Sequence, residues 1–186
     1  AAQRPVHFFA KAPLFDVPVF GARMTALGMV PAYRGQDDKA SVRKNLETLD
    51  VGTQYLGRGE AVGIFPEGKT HDREGLEQVR TGAARIAWPA AQSGAGVMIV
   101  PLGLNYARKE SFRSAIWVRV GEPLDARAWL GARGEEERPA IRSLTEEIDR
   151  RLKQVVIHLN EERWQAFLPE LEVLLPANDC QARDPI

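Results

Sequence analysis

Short, nearly continuous apolar segments alternate with helical stripes along the first two thirds of the chain. The apolar segments lie at 6–10, 29–33, 61–65, 97–104 and 115–120. Apolar residues at helical spacing lie between them, at 17–27, 39–57 and 79–93. Strands without polar alternation are typical of parallel sheets covered by helices. The sequence therefore predicts the α/β class, with a central, largely parallel β-sheet flanked by helices.

The predicted helices carry apolar residues three and four positions apart. In 17–27 the stripe is Val17, Phe20, Met24 and Leu27, with Gly28 as the stop, and in 39–57 it is Val42, Leu46, Leu49 and Leu56. Residues 138–175 predict two C-terminal amphipathic helices that pack on the domain. The first, from Pro139, has the stripe Ile141, Leu144, Ile148, Leu152, Val155 and Leu159; the second has Trp164, Phe167, Leu168, Leu171, Leu174 and Leu175.

Length and charge restrict the classes of function. The 186 residues predict one domain, 1–186, and the formal net charge is zero, with 25 basic and 25 acidic residues. A nucleic-acid-binding surface normally brings a basic excess, so no nucleic-acid partner is expected. The net charge is +3 over residues 1–34, +2 over 35–134 and −5 over 135–186, which places any anion site in the first two thirds.

The sequence predicts neither a metal site nor a membrane-spanning segment in these residues. The single cysteine, Cys180, excludes an internal disulfide and a cysteine-based zinc cluster, and suits a reducing compartment; no metal site is predicted. No apolar run in these residues approaches the 18 or so needed to span a bilayer.

Residues 63–70 match the P-loop pattern, but their surroundings argue against nucleotide hydrolysis. Ile64 and Phe65 belong to the predicted strand, Pro66 has no amide donor, and Glu67 would bring a carboxylate beside the phosphates. The polar loop that follows has no apolar helical stripe. We therefore do not assign a P-loop.

The turn Pro66–Glu67–Gly68 follows an apolar strand, where α/β folds place their ligands. Basic and polar side chains are frequent around it: Arg34, Lys69, His71, Asp72, Arg73 and Arg80. Such a cluster suits a phosphate or carboxylate ligand, with Arg34 able to make a bidentate contact. A solvated loop with ordinary surface charges explains the same spacing equally well.

Several short blocks in collinear order resemble the glycerol-3-phosphate/lysophosphatidate acyltransferases. The central blocks are Phe65-Pro66-Glu67-Gly68 with Thr70-His71-Asp72, then residues 80–87, then Val100-Pro101-Leu102-Gly103-Leu104-Asn105-Tyr106. Residues 9–15, 28–34, 112–114 and 121–123 extend the similarity in both directions, so that it covers about residues 4–125. Several blocks in order are far more specific than any one of them.

The resemblance implies an enzyme that moves a fatty acyl group from acyl-CoA or acyl-carrier protein to a hydroxyl of glycerol 3-phosphate or lysophosphatidate. The thioester is a substrate, and no bound cofactor is implied. The substrate-binding residues implied are Arg34, Glu67, Gly68, Lys69, Thr70, Arg80 and Lys11. Direct contact between Glu67 and a phosphate would be repulsive, so Glu67 is expected to order basic groups or bind a glycerol hydroxyl.

The sequence differs from the family at the catalytic motif, His-x-x-x-x-Asp. Its imidazole would take the proton of the acceptor hydroxyl while the Asp fixes the tautomer. None of the chain's three histidines has Asp five residues later. We therefore assign no catalytic residue here, with His71 as a weak substitute and His7 as structural. The resemblance places the motif ahead of Ala1.

Two hypotheses follow. The first is an acyltransferase of phospholipid synthesis, and the alternative is a non-catalytic lipid-phosphate-binding protein that retains the fold. Either would work peripherally at the cytoplasmic side of a membrane, and Phe15, Val17, Val19 and Phe20 serve equally well as membrane contacts or as core. Arginine outnumbers lysine 19 to 6, which suggests a GC-rich bacterial source.

Overall fold

A parallel sheet organises the N-terminal half of the chain. The computed structural model describes residues 4–33, 39–68, 75–106 and 112–156. Strands β1 (Val6–Lys11), β2 (Val30–Ala32) and β3 (Ala61–Gly63) form a sheet in the order β2-β1-β3, and β1 runs parallel to both neighbours. The register sets Phe9 opposite Val30 and Phe8 opposite Gly63. The α/β class is confirmed.

Helices alternate with these strands, as the sequence predicts. They are α1 (Phe20–Ala26), α2 (Lys39–Gly57) and α3 (Gly82–Gln92). The bounds of α2 are those predicted, although the side chain of Val42 lies outside the described residues. Helix α1 is shorter than the predicted 17–27, because Val19 has a φ of 67° and regular helix begins after it.

The predicted inward face of α1 is wrong in part. Met24 is buried, but Val17 and Phe20 are about half exposed and Leu27 is 73% exposed. Gly28 ends the segment in the left-handed region, as predicted, with a φ of 71°.

The apolar run 97–104, predicted as one strand, forms parts of two. Strand β4 (Met98–Ile99) pairs antiparallel with β7 (Leu124–Asp125), and β5 (Leu102–Tyr106) pairs antiparallel with β6 (Ile116–Val120). Pro101 separates β4 from β5, because it has no N–H to donate to a ladder. Its carbonyl accepts the N–H of Gly121 at 2.9 Å, which leads the chain from one pair into the other.

Helices α4 (Ala126–Arg133) and α5 (Glu137–Leu152) complete the described part. Helix α4 was not predicted; Asp125 caps it by accepting the N–H of Ala128 at 2.9 Å, and Gly134 ends it in the left-handed region. In α5 the predicted stripe is confirmed as buried from Ile141 to Leu152, with Val155 buried just beyond the helix. Leu159 and the second C-terminal helix lie outside the described residues.

The hydrophobic core lies mainly among α3, α4 and α5. Its buried members include Ala84, Ala87, Ala90, Leu124, Leu130, Ile141, Leu144, Ile148 and Leu152. Helix α2 packs against the parallel sheet and α3 packs against α2, and Gly52 of α2 lies close to the side chains of both Phe9 and Ile86. On the other face, Val6 and Phe8 stay partly exposed. In the described ranges, no helix combines the length and the apolar character needed to cross a membrane.

Candidate functional site

The three parallel strands end at one edge of their sheet. Strand β1 ends at Lys11, β2 at Ala32 and β3 at Gly63. Loops at the carboxyl edge of a parallel sheet are where α/β folds bind ligands, because several chain segments converge there. The segment after β3 carries Pro66, Glu67 and Gly68, so the predicted binding turn lies at this edge.

The turn is closed by its own backbone. The N–H of Gly68 donates to the carbonyl of Phe65 at 3.2 Å. Gly68 has a φ of +68°, in the left-handed region that L side chains rarely adopt. The sequence places a glycine where the turn requires one.

Glu67 joins the turn to the chain segment just before α3. Its Oε2 accepts the backbone N–H of Glu77 at 3.0 Å, and the pair is partly buried. A carboxylate bonded to a backbone amide ties two segments ten residues apart. The bond joins the turn to the segment just before α3, and the expected role of Glu67 in ordering basic groups or binding a glycerol hydroxyl stays a prediction.

Arg80 is brought to the same turn by its backbone. Its N–H donates to the carbonyl of Pro66 at 2.8 Å, and its Cγ lies 3.8 Å from the position of a Cβ on Gly68. The side chain is exposed. The structure therefore brings together Glu67, Gly68 and Arg80, and places the exposed Lys11 at the same sheet edge. Four predicted site residues lie outside the described ranges: Arg34, Lys69, Thr70 and His71.

His7 is held by structural contacts on both ring nitrogens. Nδ1 lies 2.8 Å from the carbonyl oxygen of Gly28, and Nε2 lies 2.5 Å from Oε2 of Glu60. The ring also stacks on Tyr55, with centroids 3.7 Å apart and planes 3° apart. These contacts agree with the structural role predicted for His7, because both ring nitrogens have partners within the fold.

Sequence reasoning missed Glu60 and a group of arginines. Glu60 immediately precedes β3, 53 residues after His7, and no local pattern in the sequence joins the two. Arg85, Arg138 and Arg142 line one groove, although Arg85 lies on α3 and the other two on α5. No local pattern could have joined residues so distant in sequence.

Comparison with known proteins agrees with this architecture. The family model described as Acyltransferase matches residues 1–105. The chain is 33% identical over 109 residues to "Glycerol-3-phosphate O-acyltransferase 1" of Saccharomyces cerevisiae, covering 56% of this chain and 14% of that protein. It is 39% identical over 82 residues to "Glycerol-3-phosphate O-acyltransferase 2" of the same yeast, covering 43% of this chain and 11% of that protein. The chain thus spans a small part of these relatives.

A solved structure shares the fold. The crystal structure of the 1-acyl-sn-glycerophosphate (LPA) acyltransferase PlsC from Thermotoga maritima aligns with a TM-score of 0.50 at 17% identity, covering 81% of this chain and 56% of that chain. The family model extends through the sheet edge, the Pro66–Gly68 turn and Arg80, and it matches more than half of the 186 residues. The chain belongs to the acyltransferase family.

Proposed function

We propose that this protein is an acyltransferase of glycerolipid synthesis and that the residues around the Pro66–Gly68 turn bind its acceptor. It binds glycerol 3-phosphate or lysophosphatidate, whose hydroxyl receives a fatty acyl group from acyl-CoA or acyl-carrier protein. The observation that carries the proposal is the turn at Glu67 and Gly68, which is placed at the carboxyl edge of the sheet and joined by Arg80. The names of the yeast relatives and of PlsC support this choice of substrate class.

In the proposed reaction, the acceptor's hydroxyl oxygen attacks the thioester carbonyl carbon. The new ester C–O bond forms, the C–S bond breaks, and the hydroxyl proton passes through a general base to the departing thiolate. This chain contributes positive charge for the acceptor phosphate. The proposed contacts are Arg34, Lys69, Arg80 and Lys11, with the hydroxyl of Thr70 as a further donor.

Glu67 acts as a positioning residue in this proposal. Its bond to the N–H of Glu77 joins the turn to the segment just before α3. The bond from the N–H of Arg80 to the carbonyl of Pro66 joins the same two segments. Loss of the carboxylate therefore weakens the attachment of the turn to this segment and lowers acceptor affinity.

No residue of this sequence matches the His-x-x-x-x-Asp motif that holds the family's general base, and His71 is the weak substitute. The alternative function, a non-catalytic protein that binds lipid phosphates, is supported by the lack of this motif among the 186 residues. The two functions differ in one observable. The enzyme releases CoA or carrier-protein thiol when acceptor and donor are both present, and the binding protein does not.

We also propose that the protein works peripherally, at the cytoplasmic face of a membrane. The side chains of Val17, Val19 and Phe20 support this, since they are 46%, 67% and 51% exposed. Cosedimentation with phosphatidylglycerol–phosphatidylcholine vesicles tests it. Replacing Val19 and Phe20 with Ser should lower the bound fraction, whereas unchanged binding would contradict the proposal.

The main experiment measures acyl transfer by the protein at its natural length, with glycerol 3-phosphate and lysophosphatidate as separate acceptors. Arg80→Gln should raise the acceptor KM about tenfold with a smaller change in kcat, because it removes ground-state binding of the phosphate. Arg43→Gln is the control, since Arg43 is an exposed arginine on α2 paired with Glu47 at 3.1 Å. Acceptor binding without transfer from any thioester would favour the binding protein.

A further inference from the structure

A groove lined largely by arginine lies between α3 and α5. Its volume is about 560 Å³, and its lining residues are Thr81, Arg85, Glu137, Arg138, Ile141 and Arg142. The lining includes three arginines and one glutamate, so it carries a net charge of about +2 at neutral pH.

The arginines that line the groove make few or weak polar contacts with other protein groups. Arg85 donates through Nε to the hydroxyl of Thr81 at 3.2 Å. Arg142 pairs with Glu146 at 3.2 Å, but the two side chains are 84% and 68% exposed, and exposed pairs of this kind exchange easily. Within the described ranges, no carboxylate forms an ion pair with Arg85 or Arg138. Their charge is therefore available to a ligand.

The groove begins next to the proposed acceptor site. Thr81 directly follows Arg80, whose backbone N–H is bonded to Pro66 at 2.8 Å. The first turn of α3 contains no acidic residue, so the positive end of its dipole is not offset there. A ligand in the groove would thus lie beside the turn at Gly68.

Three separated guanidinium groups suit a ligand with several phosphates. Arg138 and Arg142 are four residues apart and share one face of α5, while Arg85 reaches the groove from α3. Each guanidinium can bind one phosphate through two parallel hydrogen bonds. A single phosphate would leave part of this charge unused.

We propose that the groove binds the phosphates of a polyphosphorylated small molecule, which in this enzyme is the nucleotide end of a coenzyme A thioester. The choice of ligand rests on the proposed function, which supplies the thioester donor. The preference for adjacent phosphates rests on the groove alone. The acyl group would then extend from the groove toward the acceptor at the Pro66–Gly68 turn.

Calorimetric titration of the full chain with coenzyme A, inorganic pyrophosphate and glycerol 3-phosphate tests the proposal. Coenzyme A and pyrophosphate should bind, and the double variant Arg138→Gln/Arg142→Gln should weaken both at least tenfold. Glu137→Gln should strengthen binding several-fold, because it removes the opposing charge. Arg43→Gln is the matched control and should change affinity less than twofold: its pair with Glu47 has the same i,i+4 spacing, at 3.1 Å, and Arg43 is 85% exposed.

Three outcomes would overturn the proposal. In the first, the double variant and Arg43→Gln bind the ligands with equal affinity. In the second, neither coenzyme A nor pyrophosphate binds. In the third, the arginines are needed only for the binding of glycerol 3-phosphate or acyl-carrier protein. If the double variant does not fold, as judged by circular dichroism, Arg138→Gln alone carries the same comparison. Acyl transfer measured in parallel separates the two proposals: arginine-dependent coenzyme A binding without transfer contradicts the enzyme but not the groove.

Discussion

Helix α5 and the β5–β6 hairpin both carry large apolar side chains but bury them very differently. Ile141, Leu144 and Ile148 of α5 are 8%, 0% and 5% exposed. On the hairpin, the register aligns three cross-strand pairs on one face: Leu102 with Val120, Leu104 with Val118, and Tyr106 with Ile116. These six residues are between 39% and 63% exposed. An apolar pattern therefore predicts the kind of element without predicting its burial.

The opposite face of the hairpin explains how it is attached. Asn105 donates through Nδ2 to the carbonyl of Val155 at 3.3 Å, and Gly103 lies directly under that carbonyl. The segment just after α5 thus joins one face of the hairpin to the helical core. The comparison predicts that substitutions lower the free energy of unfolding most in the buried face of α5, less where the two regions meet, and least on the exposed face of the hairpin.

The largest effect is expected at Leu144. Leu144→Ala should lower the free energy of unfolding by about 3 kcal/mol, because it leaves a cavity in a fully buried site of α5. Val118→Ala on the hairpin's exposed face is the control and should cost less than about 1 kcal/mol. Urea unfolding curves measure both. Equal losses would mean that the hairpin face is as well covered as α5.

A smaller loss is expected where the hairpin meets the end of α5. A Cβ on Gly103 would meet the carbonyl oxygen of Val155 at an impossibly short distance, and that neighbour is backbone. Gly103→Val should therefore cost about 2 kcal/mol, through displacement of the hairpin.

Gly131 provides the contrasting position for this test. It lies within α4, and nothing approaches a Cβ there within 4 Å. Gly131→Ala should stabilise the protein by about 0.5–1 kcal/mol, since alanine favours helix over glycine. If Gly103→Val were as harmless, the attachment of the hairpin at Val155 would not contribute to stability.

The parallel sheet offers a test at Glu60. Glu60→Ala should cost about 1.5 kcal/mol, because His7 is 11% exposed and loses its Nε2 partner. Glu47→Ala removes the exposed pair with Arg43 and should cost about 0.5 kcal/mol or less. Thermal unfolding of both variants compares them. A smaller loss for Glu60→Ala than for Glu47→Ala would contradict a structural role for His7.

The sequence predicted elements better than it predicted contacts. Periodicity located α2 and the buried stripe of α5, because a helix of 16 or more residues repeats its apolar spacing several times. The eight-residue α4 offers too few turns for that signal, and its boundaries depend on the cap at Asp125 and on Gly134. The run 97–104 misled because continuous apolar residues conceal the break at Pro101.

The same distinction applies to the candidate site, where local features were predictable from the sequence and distant contacts were not. The turn at Gly68 was predictable, because Pro-Glu-Gly after an apolar strand is a local signal. The bond from Glu67 to Glu77 and the convergence of Arg85 with Arg138 depend on how α3 and α5 pack. Such distant pairings are set by tertiary structure and leave no trace in local spacing.

The smallest loss of stability is expected at Glu147 in α5, and it depends on pH. Glu147 accepts hydrogen bonds from Arg150 and Arg151, at 2.8 Å and 2.6 Å, and chiefly the bond from Arg150 lowers its pKa from 4.5 to about 2. The carboxylate therefore stabilises the fold above about pH 4.5, and this contribution disappears as the pH falls toward 2. Glu147→Gln should cost about 1 kcal/mol or less at pH 6, as for partly exposed ion pairs.

The pH dependence separates a charge effect from a packing effect at Glu147. Glutamine has nearly the size of a protonated glutamate, so the stability difference between Glu147→Gln and the unchanged chain should shrink as acid is added. Glu146→Gln, one position earlier in an exposed pair with Arg142, should show little difference at any pH. If the loss for Glu147→Gln stayed constant between pH 6 and pH 3, it would come from packing. Helix α5 would then owe its stability to its buried apolar face alone, which would widen its contrast with the hairpin.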